Sequence, residues 1–258
     1  MNLKEALTGK LTQKEMNFLR TSYDVVGDIA IIEIPKELKK REKLIGQTIL
    51  ALLHNIKTVA AAGEHTGKYR TQKLRIIAGQ KRFETTQKES GITLKVDVAK
   101  CYYSPRLGSE RLRIAKLVKK REKILVVGSG IAPYPLVLAK YTPAQITAVE
   151  VNPTAHKYAI ENVKINKLGH KITLVKGDIR KIKLGKFDRI ISAIPHEGIK
   201  LVPALLKFAK KGTKLHIYDF ASEQDLEEPA RKLKLKSKTV KTQQVGIRRY
   251  RVCIDAVI

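Results

Sequence analysis

The chain has 258 residues, enough for one large domain or two modest ones, each with its own core. Lys and Arg outnumber Asp and Glu 52 to 24, giving a formal charge of +28 and a pI near 10.1. That excess points to a polyanionic partner, nucleic acid first of all, although a lysine-rich surface also suits a high growth temperature. The only cysteines, Cys101 and Cys253, are far apart and form no C-x-x-C pair, which speaks against a disulfide framework or a metal site and for a cytoplasmic protein. No apolar run approaches the roughly 18 residues of a membrane span, and the polar start MNLKEALTGKLTQKE is unlike a signal peptide.

In chain order, residues 1–20 read as one or two short helices with Leu3, Leu7, Leu11, Met16, Phe18 and Leu19 as apolar positions. Residues 23–34 are β-rich and broken at Gly27-Asp28, a hairpin or bulge signal. Pro35 opens a helical pattern over 36–53, with Leu38, Leu44, Ile45, Ile49, Leu52 and Leu53 on one face. Strands are expected at 57–61, 74–78 and 92–98, the last alternating through Leu94, Val96 and Val98, while 83–91 reads as a polar turn. These elements make a small α+β domain over 1–100.

The remainder, 101–258, alternates strands and helices as a parallel sheet covered on both faces does, with an antiparallel ending allowed. Pro105 and Gly108 make a loop, Ser109 is a candidate helix cap, and a helix follows over 110–119. The run from Lys123 to Pro153 reads as strand, glycine turn (Gly128-Ser129-Gly130), helix and second strand ending at Glu150. Beyond it come a helix at 155–166, a strand at 172–175 and one at 187–191 stopping at Ser192-Ala193-Ile194-Pro195. A helix near 201–210, a turn at Gly212, a strand at 214–220, a helix within 225–235 and two closing strands complete the pattern.

In such sheets ligands sit beyond the carboxyl ends of the strands. Here those ends carry Gly128, Gly130, Glu150, Asp178 and the 193–195 turn. Glycine admits a ligand to the backbone, Glu150 suits ribose hydroxyls, and Asp178 with the backbone of Ile179 suits an adenine amine. Each carboxylate alone would equally serve as a helix cap or surface charge. No Walker lysine follows the glycines, and Ile131-Ala132-Pro133 follows the second glycine where a dinucleotide site would keep a third; S-adenosylmethionine is the better fit. Ile131, Pro133, Val151 and Asn152 complete the expected cofactor contacts, with Ala193 and Pro195 opposite.

The segments YDVVGDIAIIEIP, GKYR, VDVAKCYYSPRLGSERLRIA, AVEVNPTAHKYAIENVKINKL and GDIRKI resemble the archaeal and eukaryotic tRNA methyltransferases that act on N1 of guanosine 37. They are also similar to the related wyosine-pathway aminocarboxypropyltransferases. The resemblance runs from Tyr23 to the last strand, and the Y-S-P-R-L-x-x-E-R and E-x-N-P blocks are its specific parts. It implies a Rossmann-like class I methyltransferase domain behind a small α+β domain on the tRNA side, an archaeal type of protein that uses S-adenosylmethionine and acts on the anticodon loop of tRNA, with a monomer favoured. The further amino-terminal domain with which many archaeal members grip the tRNA elbow is not expected in this sequence.

By position, the resemblance makes Glu110 the general base for the N1 proton and Arg70 the partner of charge developing at O6, a sensible division for a weakly acidic N–H. Without it, Glu110 reads as a first-turn helix residue and Arg70 as a phosphate contact. Tyr102 or Tyr103 is a candidate to stack on the base, or to sit in the core, and Arg106 and Arg111 to hold phosphates. Two places depart from the family pattern: Val126 and Ala132 replace an aspartate and a glycine around the first turn, and Ala193 replaces a base-contacting asparagine of the methyltransferases. The first hypothesis is N1 methylation of guanosine 37, with methylation of a wyosine intermediate not excluded. The departures keep open aminocarboxypropyl transfer from the same cofactor, and a cofactor-dead RNA-binding module.

Overall fold

The computed structural model describes all residues except Lys68, Arg70, Lys120, His196 and Lys234, and the side chain of His65. Two compact units are present: Met1–Glu89 with Thr93–Pro105, and Ser90–Ile92 with Arg106–Ile258. Among the described residues no helix is long and apolar enough to cross a membrane.

In the smaller unit, α1 (Leu3–Leu7) and α2 (Gln13–Phe18) are too short to persist on propensity alone. Each is held by a capping box, Asn2 with Glu5 and Thr12 with Glu15, and α1 buries Leu3 and Leu7. β1 (Tyr23–Val26) and β2 (Ile29–Glu33) form the hairpin expected at Gly27-Asp28. A 3-10 turn (Lys36–Arg41) leads into α3 (Glu42–Leu52), then β3 (Thr58–Thr66) and β4 (Thr71–Gly79) complete a sheet of order β1-β2-β3-β4. Its core joins Ile32, Val59 and Ile77 of the sheet to Ile45 and Ile49 of α3.

One stretch differs from its sequence reading. Residues 83–91 are not merely a turn: Glu84–Glu89 is β5, paired with β6 (Ile92–Asp97) in a two-stranded sheet. Its side chains are all polar, so no apolar alternation announced it; Thr85 is buried by bonding instead, its hydroxyl donating to Asp28 Oδ1 at 2.7 Å and accepting from the Asp28 N–H.

A 3-10 turn (Pro105–Leu107) leads into the larger unit and its first helix, α4 (Gly108–Lys116). Ser109 is not its cap: the helix begins two residues earlier than expected, at Gly108 after Leu107, without a side-chain cap bond. Then follow β7 (Lys123–Val127), α5 (Pro133–Tyr141), β8 (Gln145–Glu150), α6 (Pro153–Ile165), β9 (Ile172–Lys176) and β10 (Phe187–Ser192). After these come α7 (Gly198–Leu206), β11 (Ala209–Ser222), α8 (Glu228–Leu233), β12 (Ser237–Gly246) and β13 (Arg249–Val257).

The seven strands lie in the order β12-β13-β11-β10-β7-β8-β9, with β7 to β11 parallel and β13 antiparallel to both its neighbours. Chain order reverses between β7 and β10, so the crevice beyond their carboxyl ends is the switch point where such sheets hold ligands. β11 is longer than its apolar run suggests: it passes through Gly212 instead of turning there, and the irregularity is absorbed as a register shift in its pairing with β10. Both cysteines are buried, Cys101 in the smaller unit and Cys253 in β13 of the larger.

Candidate active site

At the switch point, β7 ends in a turn whose glycines lie in the left-handed region, Gly128 at φ 70° and Gly130 at φ 57°. A Cβ on Gly128 would meet Ile194 Cγ1 at 2.3 Å, so this position excludes a side chain on space as well as on backbone. The N–H groups of Gly128 and Ser129 donate to Val149 O at 2.9 and 3.1 Å, tying the turn to β8. Opposite, the Ala193 N–H donates to Val127 O at 2.9 Å, bringing the 193–195 turn beside the glycines. Ser129 Oγ and Ser192 Oγ are buried at this mouth with no hydrogen-bond partner among the described residues. Two satisfiable hydroxyls at a glycine-flanked turn are what a polar ligand at the strand ends would complete.

Glu150 closes the same crevice. Its Oε2 accepts from the Gly130 N–H and its Oε1 from the Asn152 N–H, both at 2.7 Å, leaving further lone pairs for ribose hydroxyls. Burial pushes its carboxyl above the usual range against the pull of those amides. Asn152 caps α6, its Oδ1 accepting from the Thr154 N–H at 2.9 Å, and Pro153 follows at the first helical position. Ile131 is fully buried, with its carbonyl accepting from Asn162 Nδ2 at 3.0 Å. Asp178 carries an ion pair with Arg180 at 2.7 Å; hydrogen bonding from that guanidinium holds its carboxyl down at about 2. Ile179 is packed into the core beneath it.

Glu110 stands in the first turn of α4, only 4% exposed. Arg113 one turn on donates to both of its oxygens, Nε to Oε2 at 2.7 Å and Nη2 to Oε1 at 2.8 Å, and the Tyr218 hydroxyl donates to Oε1 at 2.5 Å. Tyr134 in the first turn of α5 donates in turn to the Tyr218 oxygen at 2.8 Å. Two hydrogen bonds thus join Glu110 to the helix that springs from the glycine turn. On its other side, Arg113 Nη1 donates to Asp255 Oδ2 at 2.7 Å, and Asp255 Oδ1 meets His216 Nδ1 at 2.6 Å. His216 Nε2 lies 2.5 Å from Arg189 Nη1. An arginine can only donate, so Nε2 accepts, Nδ1 carries the proton, and the imidazole is neutral; burial also lowers its pKa. Arg189 ends the chain in a buried pair with Glu122 at 2.8 Å.

His216, Cys253 and Asp255 place three potential metal donors within 4.8 Å of one another. Both ring nitrogens and the Asp255 carboxylate are spent on hydrogen bonds, burial pushes the Cys253 thiol up, and two guanidiniums flank the group. This is a proton-bonded cluster that repels a cation.

Of the expected substrate contacts, Tyr102 is exposed, and Tyr103 is half-buried with its hydroxyl on Glu89. Arg106 is exposed, whereas Arg111 lies inside, its guanidinium 5.8 Å from the centre of the Tyr134 ring, because the first turn of α4 faces the unit's interior. Arg70 lies outside the described residues.

Residues 85–245 match the model of the TRM5/TYW2 methyltransferase domain, and residues 3–82 match that of the TYW2 N-terminal domain. The chain belongs to the TRM5/TYW2 methyltransferase family. It is 40% identical, over 83% of its length, to the tRNA (guanine(37)-N(1))-methyltransferase Trm5b of Pyrococcus abyssi, but spans only 64% of that relative. It is 32% identical to the tRNA(Phe) (4-demethylwyosine(37)-C(7)) aminocarboxypropyltransferase of Methanocaldococcus jannaschii, over 82% of this chain and 84% of that one. Its fold is similar to that of aTrm5 in a solved complex with tRNALeu, with a TM-score of 0.90 at 30% identity, covering 100% of this chain and 78% of the other.

Beyond the site residues expected from the sequence, the structure adds Arg113, Tyr134, Tyr218, His216 and Asp255. Arg113 had a local signal, a cation three residues after Glu110 on a helix. The others come from α5, β11 and β13, and only the folded sheet brings them to α4. Ser129 and Ser192 were visible as turn residues with nothing to mark them as buried hydroxyls.

Proposed function

We propose that the chain is an S-adenosylmethionine-dependent tRNA methyltransferase acting on N1 of guanosine 37 in the anticodon loop. The cofactor supplies a methyl group on a sulfonium, and the crevice lined by Gly128, Gly130, Ile131, Pro133, Glu150, Val151, Asn152, Asp178, Ile179, Ala193 and Pro195 is its binding site. Arg180 yields part of Asp178 to the adenine amine, and Ser129 and Ser192 find their missing partners there.

The observation that carries the reading is the coupling of Glu110 to that crevice through Tyr218 and Tyr134. A carboxylate has about four acceptor sites. Three of those on Glu110 are filled, so one site on Oε2 is left for the N1 proton of an extruded guanine. Arg113 keeps the carboxylate aimed, and the family resemblance assigns to Arg70 the role of offsetting charge that gathers at O6. The smaller unit and Tyr102, Tyr103 and Arg106 serve the tRNA.

Ala193 and the match to the TYW2 N-terminal domain favour one second reading, aminocarboxypropyl transfer to a wyosine precursor. Mass spectrometry of unmodified tRNA transcript and of precursor-bearing tRNA, each incubated with the chain and S-adenosylmethionine, separates the two. A gain of one methyl on the transcript supports the first, and methylation of the precursor widens it. A larger adduct confined to the precursor replaces it with the second. Calorimetry that finds no cofactor binding removes both in favour of an RNA-binding module.

A further inference from the structure

β11 continues past the end of its neighbour. Its pairing with β10 stops at Ser192 opposite Ile217, but its pairing with β13 runs on for five more residues, to Ser222 opposite Arg249. At about 3.4 Å per residue the extension stands about 17 Å beyond the carboxyl end of β10. β13 is antiparallel to β11 and to β12, so the β12–β13 turn lies on that same edge, the edge that carries the cofactor crevice. Across the sheet, β13 is three strands from β7, about 14 Å. The result is a three-stranded wall rising beside the crevice within one unit.

Its charge is mainly positive, with Asp219 the one carboxylate on the β11 extension 218–222. Residues 229–254 hold nine Lys and Arg and no Asp or Glu. Lys238, Lys241, Arg248 and Arg249 are exposed and, among the described residues, make no ion pair. The acidic turn before α8 is engaged elsewhere: Asp225 with Arg231, Glu228 with Lys232, Glu227 with Thr239 and Glu223 with Tyr250.

The cations are also ordered in advance. Arg249 and Arg251 lie 5.3 and 5.5 Å from the Phe220 ring centre, and Lys241 Nζ lies 3.4 Å from that of Tyr250. Lys241 and Arg249 thus combine exposure with a fixed place beside a ring. Ile247, 90% exposed, and the exposed Arg248 form the tip of the turn.

We propose that this wall is a docking surface for the phosphate backbone of the RNA substrate, with Lys241, Arg248 and Arg249 as its contacts. The proposal rests on the tRNA reading above and adds where the backbone is held: beside the crevice.

The test is binding of unmodified tRNA transcript to the full chain across a salt series, with S-adenosylmethionine affinity as the control. Arg248→Ala/Arg249→Ala is expected to bind tRNA about tenfold more weakly at low salt, with the slope of log K against log salt shallower by about 1 to 2. Cofactor affinity should not change. Arg248→Lys/Arg249→Lys should keep most of the affinity and the slope. If uncovering Phe220 disturbs the strands, seen as lost cofactor binding, the single Arg248→Glu variant decides, with the same weakening expected. Unchanged tRNA affinity and slope in a variant that still binds cofactor overturns the surface and leaves the methyltransferase reading standing. A native chain that binds no tRNA overturns the reading itself, and the surface with it.

Discussion

Ala132 adopts φ 72° and ψ 34°, the left-handed region, as the residue before α5. A side chain there costs about 1–2 kcal/mol, and such strain gathers at ligand turns. Replacing it with glycine relieves that cost but adds about 0.4–1 kcal/mol of unfolded-chain entropy. We therefore expect Ala132→Gly to raise unfolding stability by about 0.5–1 kcal/mol, measured by urea denaturation; no gain would mean that the turn relaxes around alanine. Glu110 admits an equally local test. Glu110→Gln keeps the shape of the carboxylate while removing its basicity, so turnover should fall about 10²–10⁴-fold with cofactor affinity unchanged. Single-turnover assays that show wild-type rates would remove Glu110 from the base role.

At the level of elements, α4, β10, β11 and β13 are joined by one largely buried polar chain, from Glu110 and the half-buried Arg113 and Asp255 through His216 to Arg189 and Glu122. Its pH response has a definite sign. Folded His216 has a pKa below its ordinary value near 6.5, because burial and the neighbouring guanidiniums oppose its charge. Between the two values the unfolded chain binds the additional proton, so stability is intact above about pH 6.5 and falls as pH drops through that window. The slope contributed by one proton reaches about 1.4 kcal/mol per pH unit. Asp255, whose carboxyl His216 and Arg113 hold well below its ordinary range despite burial, adds a further loss below about pH 4. Urea midpoints should decline from pH 7 to pH 5, and His216→Gln should flatten that decline; an equal decline in the variant would assign it to other groups.

For the whole molecule, the charge of +28 makes RNA affinity a salt-dependent quantity. We expect native tRNA affinity to drop at least about tenfold between 50 and 200 mM salt, read by filter binding; a flat response would leave the lysines without an RNA role. Much of the larger unit was legible in the chain. The glycine turn, Glu150 and the strand–helix alternation are local patterns, and the structure places their residues around one crevice. The Glu110 network was legible only at Arg113, because its other members are brought together by sheet order, which no spacing encodes. β5 escaped because a strand held by hydrogen bonds lacks apolar alternation, and the length of β11 escaped because an irregular strand passes through a glycine that resembles a turn.

The two cysteines give this architecture a means of reporting on itself. One buried thiol sits in each compact unit, so each can be modified only when its own unit opens. Cys101 follows β6 and precedes the exposed Tyr102, near a segment end, whereas Cys253 lies mid-strand in β13 between two paired neighbours. Under mild denaturant a thiol reagent should therefore label Cys101 first, resolved by peptide mass spectrometry. Equal rates would show that a single event opens both units. The sequence thus carries two internal clocks, one for the smaller unit and one for the sheet that holds the crevice.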